Sequence, residues 1–350
     1  MKKTNAIILI LLLFIASCHK DNPPPEPNPD ELGKGIFIIN EGNYNSGNAS
    51  LTYYESETKK TTNQLFYKQN NAPLGDVAQS ITVYGERAYI VANNSGLIYI
   101  INRKTAKYEG KITDLVSPRH ILFIDDNKAY ISDLSSSKLT IINPQDFTIL
   151  GKIEIGRTSE EMLKIGDEVF IANWSAYNQS KTNNQIMIVN SLQDILIDSI
   201  TVGIEPNSMV IDKNGMLWVL CSGGFENTEK ASLWQINPAE RKVLQTIVFP
   251  DINNSPTALE INKEGDRLYF INQSVFRMSI NETQIPTEPF IQGVAELPYA
   301  ISVDKQNNEI YLTDALDYTR DGLVYRFNPE GQILDTISAG IIPGSIGFNN

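Results

Sequence analysis

The sequence predicts an all-β fold, a seven-bladed β-propeller of four-stranded blades whose ring is closed by the C-terminal strand. Three observations predict it. One phrase recurs six times: a proline or small polar residue, a short apolar strand, a polar turn, then a strand of the Leu-Tyr-Ile type. The copies return about every 40 to 50 residues, the period of propeller blades rather than of helical repeats. No long segment after the N-terminal stretch holds a sustained 3.6-residue apolar pattern.

The opening segment, MKKTNAIILILLLFIASC, has a basic start, an apolar core and small residues before Cys18. It reads as a secretory signal over residues 1–17, too short and wrongly flanked for a spanning helix. Ile15-Ala16-Ser17-Cys18 looks like a bacterial lipobox, which makes Cys18 the expected lipidated residue. The proline-rich run DNPPPEPNPDELG then makes 18–32 an extended tether that buries no apolar surface. Residues 33–350 remain for the propeller.

The first unit lacks its first strand. Gly35–Asn40, 49–55 and 62–67 supply strands two, three and four, and nothing before them supplies strand one. The next copies start at Asp76, Pro118 and Ser159, followed by the clearest ones at Pro206, Pro256 and Pro298. In the Pro206 unit, 208–212 and 216–221 flank an Asp-Lys-Asn-Gly turn, and Ser232–Asn237 and Lys242–Val248 complete the sheet. Finally Pro343-Gly-Ser-Ile-Gly-Phe-Asn begins a unit and stops after one strand. Pairing that strand with the incomplete first unit closes the ring and removes exposed sheet edges.

Composition narrows the chemistry. The formal charge is −12, and −14 once Lys2 and Lys3 leave with the signal, which disfavours nucleic acid and anionic membrane surfaces as partners. Of two cysteines, Cys18 is assigned to the anchor, and Cys221 reads as a buried thiol in a strand. His19 lies in the tether and leaves His120 as the single histidine of the propeller, too few for multi-histidine metal sites. No nucleophile elbow, Walker or dinucleotide glycine pattern is present. Asp125, Asp126, Glu86, Asp167 and Asp212 fall in hairpin turns, where carboxylates form turns more often than they do acid/base work. The expectation is a binder, not an enzyme, with no catalytic residue, metal or cofactor.

First strands of a propeller line its axis, so the loops before strand one and between strands two and three build one face. In register, those loops offer Tyr44, Asn94, Asp133, Trp174, Tyr177, Phe225, Gln273, Tyr318 and Arg320 between strands two and three. Before strand one they offer Arg119, His120 and Tyr299, with Asp76, Gln79, Arg157, Glu160, Asn207 and Thr257 in the same register. Aromatic area with orienting amides and arginines suits a bulky, flat, amide-rich organic ligand or a glycan. A structural reading stands beside this one. Asn40, Asn93, Asp133, Asn173, Asn272 and Asp314 recur after strand two, and recurrence favours capping of loop backbone. Arg119 and His120 suit carbonyl satisfaction near the axis equally well. Trp174, Tyr177 and Tyr318 stand in longer, blade-specific loops that repeat geometry does not explain.

GIFIINEGNYNSGNASLTYYE, LGDVAQSI from Leu74 and SPRHI from Ser117 resemble the YncE-like propeller lipoproteins of Bacteroidetes, over residues 33–349. Within that group the chain is similar to BtuG-type surface proteins. That resemblance implies a lipid anchor at Cys18, an outer-membrane location facing the cell exterior, and cobalamin (vitamin B12) bound in the axial funnel. It also implies a TonB-dependent transporter as the partner that receives the ligand, which is cargo and not a catalytic cofactor. The residues after Cys18, His19-Lys20-Asp21-Asn22, carry one acid where surface-displayed relatives often carry an acidic run. The alternative is a non-catalytic propeller lipoprotein binding a glycan or an envelope protein.

Overall fold

The Leu-Tyr-Ile phrases become the second strand of every blade, and they are the most deeply buried strands of the molecule. GIFIIN (Gly35–Asn40), LWVLC (Leu217–Cys221) and IYLTD (Ile310–Asp314) are buried along their whole length. Such strands have a neighbouring blade on both faces, so apolar residues run continuously instead of alternating. The outermost strands show the opposite pattern: in Lys242–Val248 only one residue is fully buried. The computed structural model describes residues 31–174 and 182–350, and the propeller is the unit Leu32–Asn350. Cys18, the 1–17 signal and most of the tether lie outside the described residues.

Seven antiparallel sheets follow one another along the chain. Blade two runs Ala78–Tyr84, Arg87–Ala92, Leu97–Asn102 and Tyr108–Ile112; blade three runs Pro118–Asp125, Lys128–Asp133, Lys138–Ile142 and Ile149–Glu154. Blade four opens with Met162–Ile165, blade five with Pro206–Ile211, blade six with Thr257–Ile261 and blade seven with Pro298–Val303. Blade one is completed from the far end of the chain. Pro343–Asn349 pairs with Gly35–Asn40 in the register Ile36↔Phe348, Ile38↔Ile346, so the last strand is the innermost strand of the first sheet. Closure of the ring is as the sequence predicts.

Seven apolar clusters hold the blades, one at each seam. The seam of blades five and six joins Trp218, Leu233 and Phe249 to Leu268 and Phe270. The seam of blades seven and one joins Tyr311 and Val324 to Ile36, Ile38 and Tyr54. The closing seam is therefore built like the others, and its burial depends on the pairing of the two ends of the fold.

Two outer edges depart from the four-strand expectation. In blade one the outermost strand is only Lys60–Thr62, and the chain turns into the helix Leu65–Asn70 where 62–67 was expected as strand. Leu65 and Phe66, adjacent in sequence, are both buried at the seam with blade two, a demand that a helical turn meets and an alternating strand does not. In blade six the sheet has three strands, Thr257–Ile261, Arg267–Asn272 and Ser274–Ser279, and its outer position is marked by a single bridge, Val275↔Ile291. The proline-containing stretch 283–290 cannot supply a regular ladder there.

Candidate functional site

In six of the seven blades the first residues of strand one break register with strand two; blade four, which opens at Met162, pairs without a break. The extra residue lies at Gln79 in blade two and at Asn207 in blade five. The same break spans Arg119–His120, Ala258–Leu259 and Tyr299–Ala300, and Gly344 is the extra residue in blade one. These bulges swing side chains off the sheet and toward the axis. Strand-two hydroxyls brace two of them: His120 N donates to Ser132 Oγ at 3.0 Å, and Ala300 N to Thr313 Oγ1 at 2.8 Å.

The bulge residues enclose a cavity of about 570 Å³ on the axis. Gln79, Arg119, His120, Asn207, Ala258 and Tyr299 all line it, with Glu160 and Glu161 entering from just before blade four. Trp174 and Tyr318 reach in from the rim loops. The Arg119 guanidinium lies 5.6 Å from the Trp174 ring centroid, and Tyr299 meets Tyr318 edge to face at 6.1 Å. Tyr318 is held over the cavity by its own carbonyl, which accepts from Asn43 Nδ2 at 2.7 Å.

Charge in the cavity divides into compensated and uncompensated groups. Arg119 Nε donates to both Glu160 oxygens, at 2.5 and 2.7 Å, and its Nη1 donates to Gln79 Oε1. Glu260 is paired with Lys305 at 2.9 Å. Glu41 and Glu161 form no ion pair among the described residues. Glu41 accepts from the Tyr299 hydroxyl at 3.1 Å, and Glu161 accepts from the Met209 N–H at 2.7 Å. Removal from bulk water raises both acids: Glu41 to about 7, opposed by the Tyr299 bond and Arg119, and Glu161 to about 8, opposed by the Met209 bond. Burial also lowers His120, so its imidazole is neutral at pH 7. Among the described residues no group of three or more His, Cys, Asp or Glu is arranged to hold a metal ion.

Of the residues named from sequence, the structure brings Arg119, His120, Trp174, Tyr299 and Tyr318 into this cavity, together with Gln79, Glu160, Asn207 and Thr257 of the same register. The other described candidates stand away from it. Tyr44 and Phe225 stand in solvent at the rim, 71% and 94% exposed. Asn94 donates to Asn45 Oδ1 at 3.1 Å, and Arg320 pairs with Asp317 at 2.7 Å. Gln273 forms the tight turn of blade six at φ 62° and borders a crevice beside Val275 and Pro298. Asp133 accepts from the backbone N–H of Ser117 at 3.0 Å and of Ser135 at 2.9 Å, the capping work that its recurrence after strand two suggested. Tyr177 lies outside the described residues. Glu161, Glu260 and Glu41 line the cavity without standing out in the sequence. For Glu161 and Glu260 the usable signal is a charged residue within or beside an apolar strand one, while Glu41 follows the second strand of blade one.

Fold and cavity together define a closed seven-bladed propeller with a ligand-sized axial chamber. The chain belongs to the family described as Domain of unknown function (DUF5074), which it matches over residues 34–339. No curated protein matches it. Among solved structures it is similar to a quinonprotein alcohol dehydrogenase-like protein of Bacteroides thetaiotaomicron, at 14% identity and TM-score 0.67, covering 91% of this chain and 79% of that one. It is similar to the periplasmic gluconolactonase of Pseudomonas aeruginosa, at 9% identity and TM-score 0.64, over 89% and 97% of the two chains. A protein of unknown function from Bacteroides caccae matches at 12% identity and TM-score 0.52, over 91% and 100%. At such identities the likeness is one of fold.

Proposed function

We propose that this chain is a lipid-anchored binding protein of the outer membrane that takes a corrinoid such as cobalamin into its axial cavity and passes it to a TonB-dependent transporter. The observation that carries the reading is the meeting, in one chamber, of aromatic faces with carboxylates that lack cationic partners. Trp174, Tyr299 and Tyr318 offer ring faces and edges to a flat macrocycle. Glu41 and Glu161 offer acceptors deep in the chamber to primary amide arms, whose N–H groups need acceptors when they leave water. Arg119, fixed by Glu160 and Gln79, orients such a ligand without moving. The anchor at Cys18 and the exterior location rest on the lipobox and the family resemblance. Titration calorimetry of the full chain with cyanocobalamin is expected to show one site; absence of heat at micromolar concentrations would reject the ligand. Trp174→Ala with Tyr318→Ala is expected to weaken binding by about tenfold or more.

One observation favours a catalytic reading. Carboxyls that keep their protons near neutrality in a chamber are the requirement for a general acid, and a gluconolactonase shares the fold. Turnover of aldonolactones by the full chain, lost in Glu161→Gln, would replace the binding reading with this one.

A further inference from the structure

A second chamber lies on the outer wall between blades one and two, where the repeat is broken. Blade one ends its sheet at Thr62, and the chain enters the helix Leu65–Asn70 through Gln64 at φ 58° and leaves it through Asn71 at φ 51°. Two non-glycine residues in the left-handed region bracket six helical residues, a local cost that the surrounding packing sustains. Phe66 anchors the helix in the seam, and Asn70 ties it to blade two. Its Nδ2 donates to Ala106 O at 3.0 Å, and its Oδ1 accepts from Tyr108 N at 2.8 Å.

Between this helix and the two outer strands of blade two is a groove of about 500 Å³. One wall is aromatic and fixed: Phe66 meets Tyr99 at 5.0 Å, and Tyr99 meets Tyr108 edge to face at 6.3 Å. Lys107, Lys111 and Gln69 also line it. Neither lysine makes an ion pair or a side-chain hydrogen bond among the described residues, in a chain whose net charge is −12. On such a surface lysines usually have acidic neighbours to answer; here two uncommitted ammonium groups share a groove with ring faces.

We propose that this groove is a second ligand site, for a single ring that carries a carboxylate. The ring's apolar face stacks on one of Tyr108 and Tyr99 and meets the other at its edge, the carboxylate lies between Lys107 and Lys111, and Gln69 takes a hydroxyl or amide at the groove's edge. A hexuronic acid residue of a glycan and a free aromatic acid share that chemistry. The site is independent of the axial cavity, which is built from first strands of the blades rather than outer ones.

Ligand-observed NMR on the full chain separates the cases, with galacturonate and benzoate as probes and galactose and benzamide as their neutral counterparts. The expected result is millimolar binding of at least one acid, weaker by about fivefold or more for its neutral counterpart. Binding of galacturonate alone assigns a glycan, and of benzoate alone an aromatic acid. Lys107→Gln with Lys111→Gln is expected to lower that affinity by about fivefold while leaving melting and any corrinoid titration unchanged, because both side chains are exposed. No binding of either acid at about 10 mM, equal binding of acid and neutral probes, or indifference to the double substitution would each overturn the proposal.

Discussion

The axial wall and the rim loops draw on the same residue types, yet only the wall concentrates them. Residues at or just before the start of strand one lie next to the axis, in six blades within register breaks, and the ring places them within one chamber. Of the residues between strands two and three, Trp174 and Tyr318 reach back over the chamber, while others start from the same face and diverge outward. There Phe225 meets solvent, Arg320 answers Asp317 three residues away, and Asp133 caps its own loop. Position along the radius, more than side-chain chemistry, decides which polar groups can act together on a ligand.

The most severe way to break that contrast is to remove the wall's keystone. Deleting residues 343–350 takes away the inner strand of blade one and opens the seam of blades seven and one. We expect loss of a single cooperative melt, checked by calorimetry; near-native melting would show that closure is not needed. Next, Arg119→Met strands Glu160, whose side chain is only 5% exposed. An unpaired buried charge costs about 3–5 kcal/mol, visible as a lower denaturant midpoint. Adding Glu160→Gln is expected to restore most of the loss.

On the rim, Asp133→Ala leaves two loop N–H groups without their acceptor and is expected to cost about 1–3 kcal/mol with ligand affinity unchanged. A fall in affinity at native stability would move Asp133 from scaffold to site. Back on the wall, burial lets Glu161 hold its proton up to about pH 8 in the fold against an ordinary value of 4.5. Between those values the folded chain binds the extra proton, so stability falls as pH rises through the window. Glu161→Gln is expected to remove that slope. The variant should melt with the parent at pH 4.5 and higher than it at pH 9, by a few degrees or about 1–3 kcal/mol after allowance for solvent. The smallest effect belongs to Phe225→Ser, within about 0.5 kcal/mol, because its ring is 94% exposed.

Much of this arrangement was legible in the chain. The phrase from Pro206 to Cys221 shows its turn, its alternation and its apolar second strand locally, and the orphan strand Pro343–Asn349 names its own partner by default. That Arg119, His120 and Tyr299 face the axis was legible from their register with Gln79 and Asn207, although they lie within the first residues of strand one and not before it. Glu161 was not, since an acid beside Met162 reads as a solvated strand end until the neighbouring blades enclose it. Tyr44 and Gln273 stand away from the axial chamber for the converse reason: residue type and loop position are local, while distance from the axis is not encoded locally.

Period and pattern, which reside in sequence neighbours, therefore determined the blade count, the strand type and the closure of the ring. Only the tertiary structure decided which carboxylates are paired, which keep their protons and which rings share a chamber. Those properties depend on groups contributed by different blades, such as Glu41, Arg119, Glu160 and Tyr299, whose approach exists only once the ring has closed.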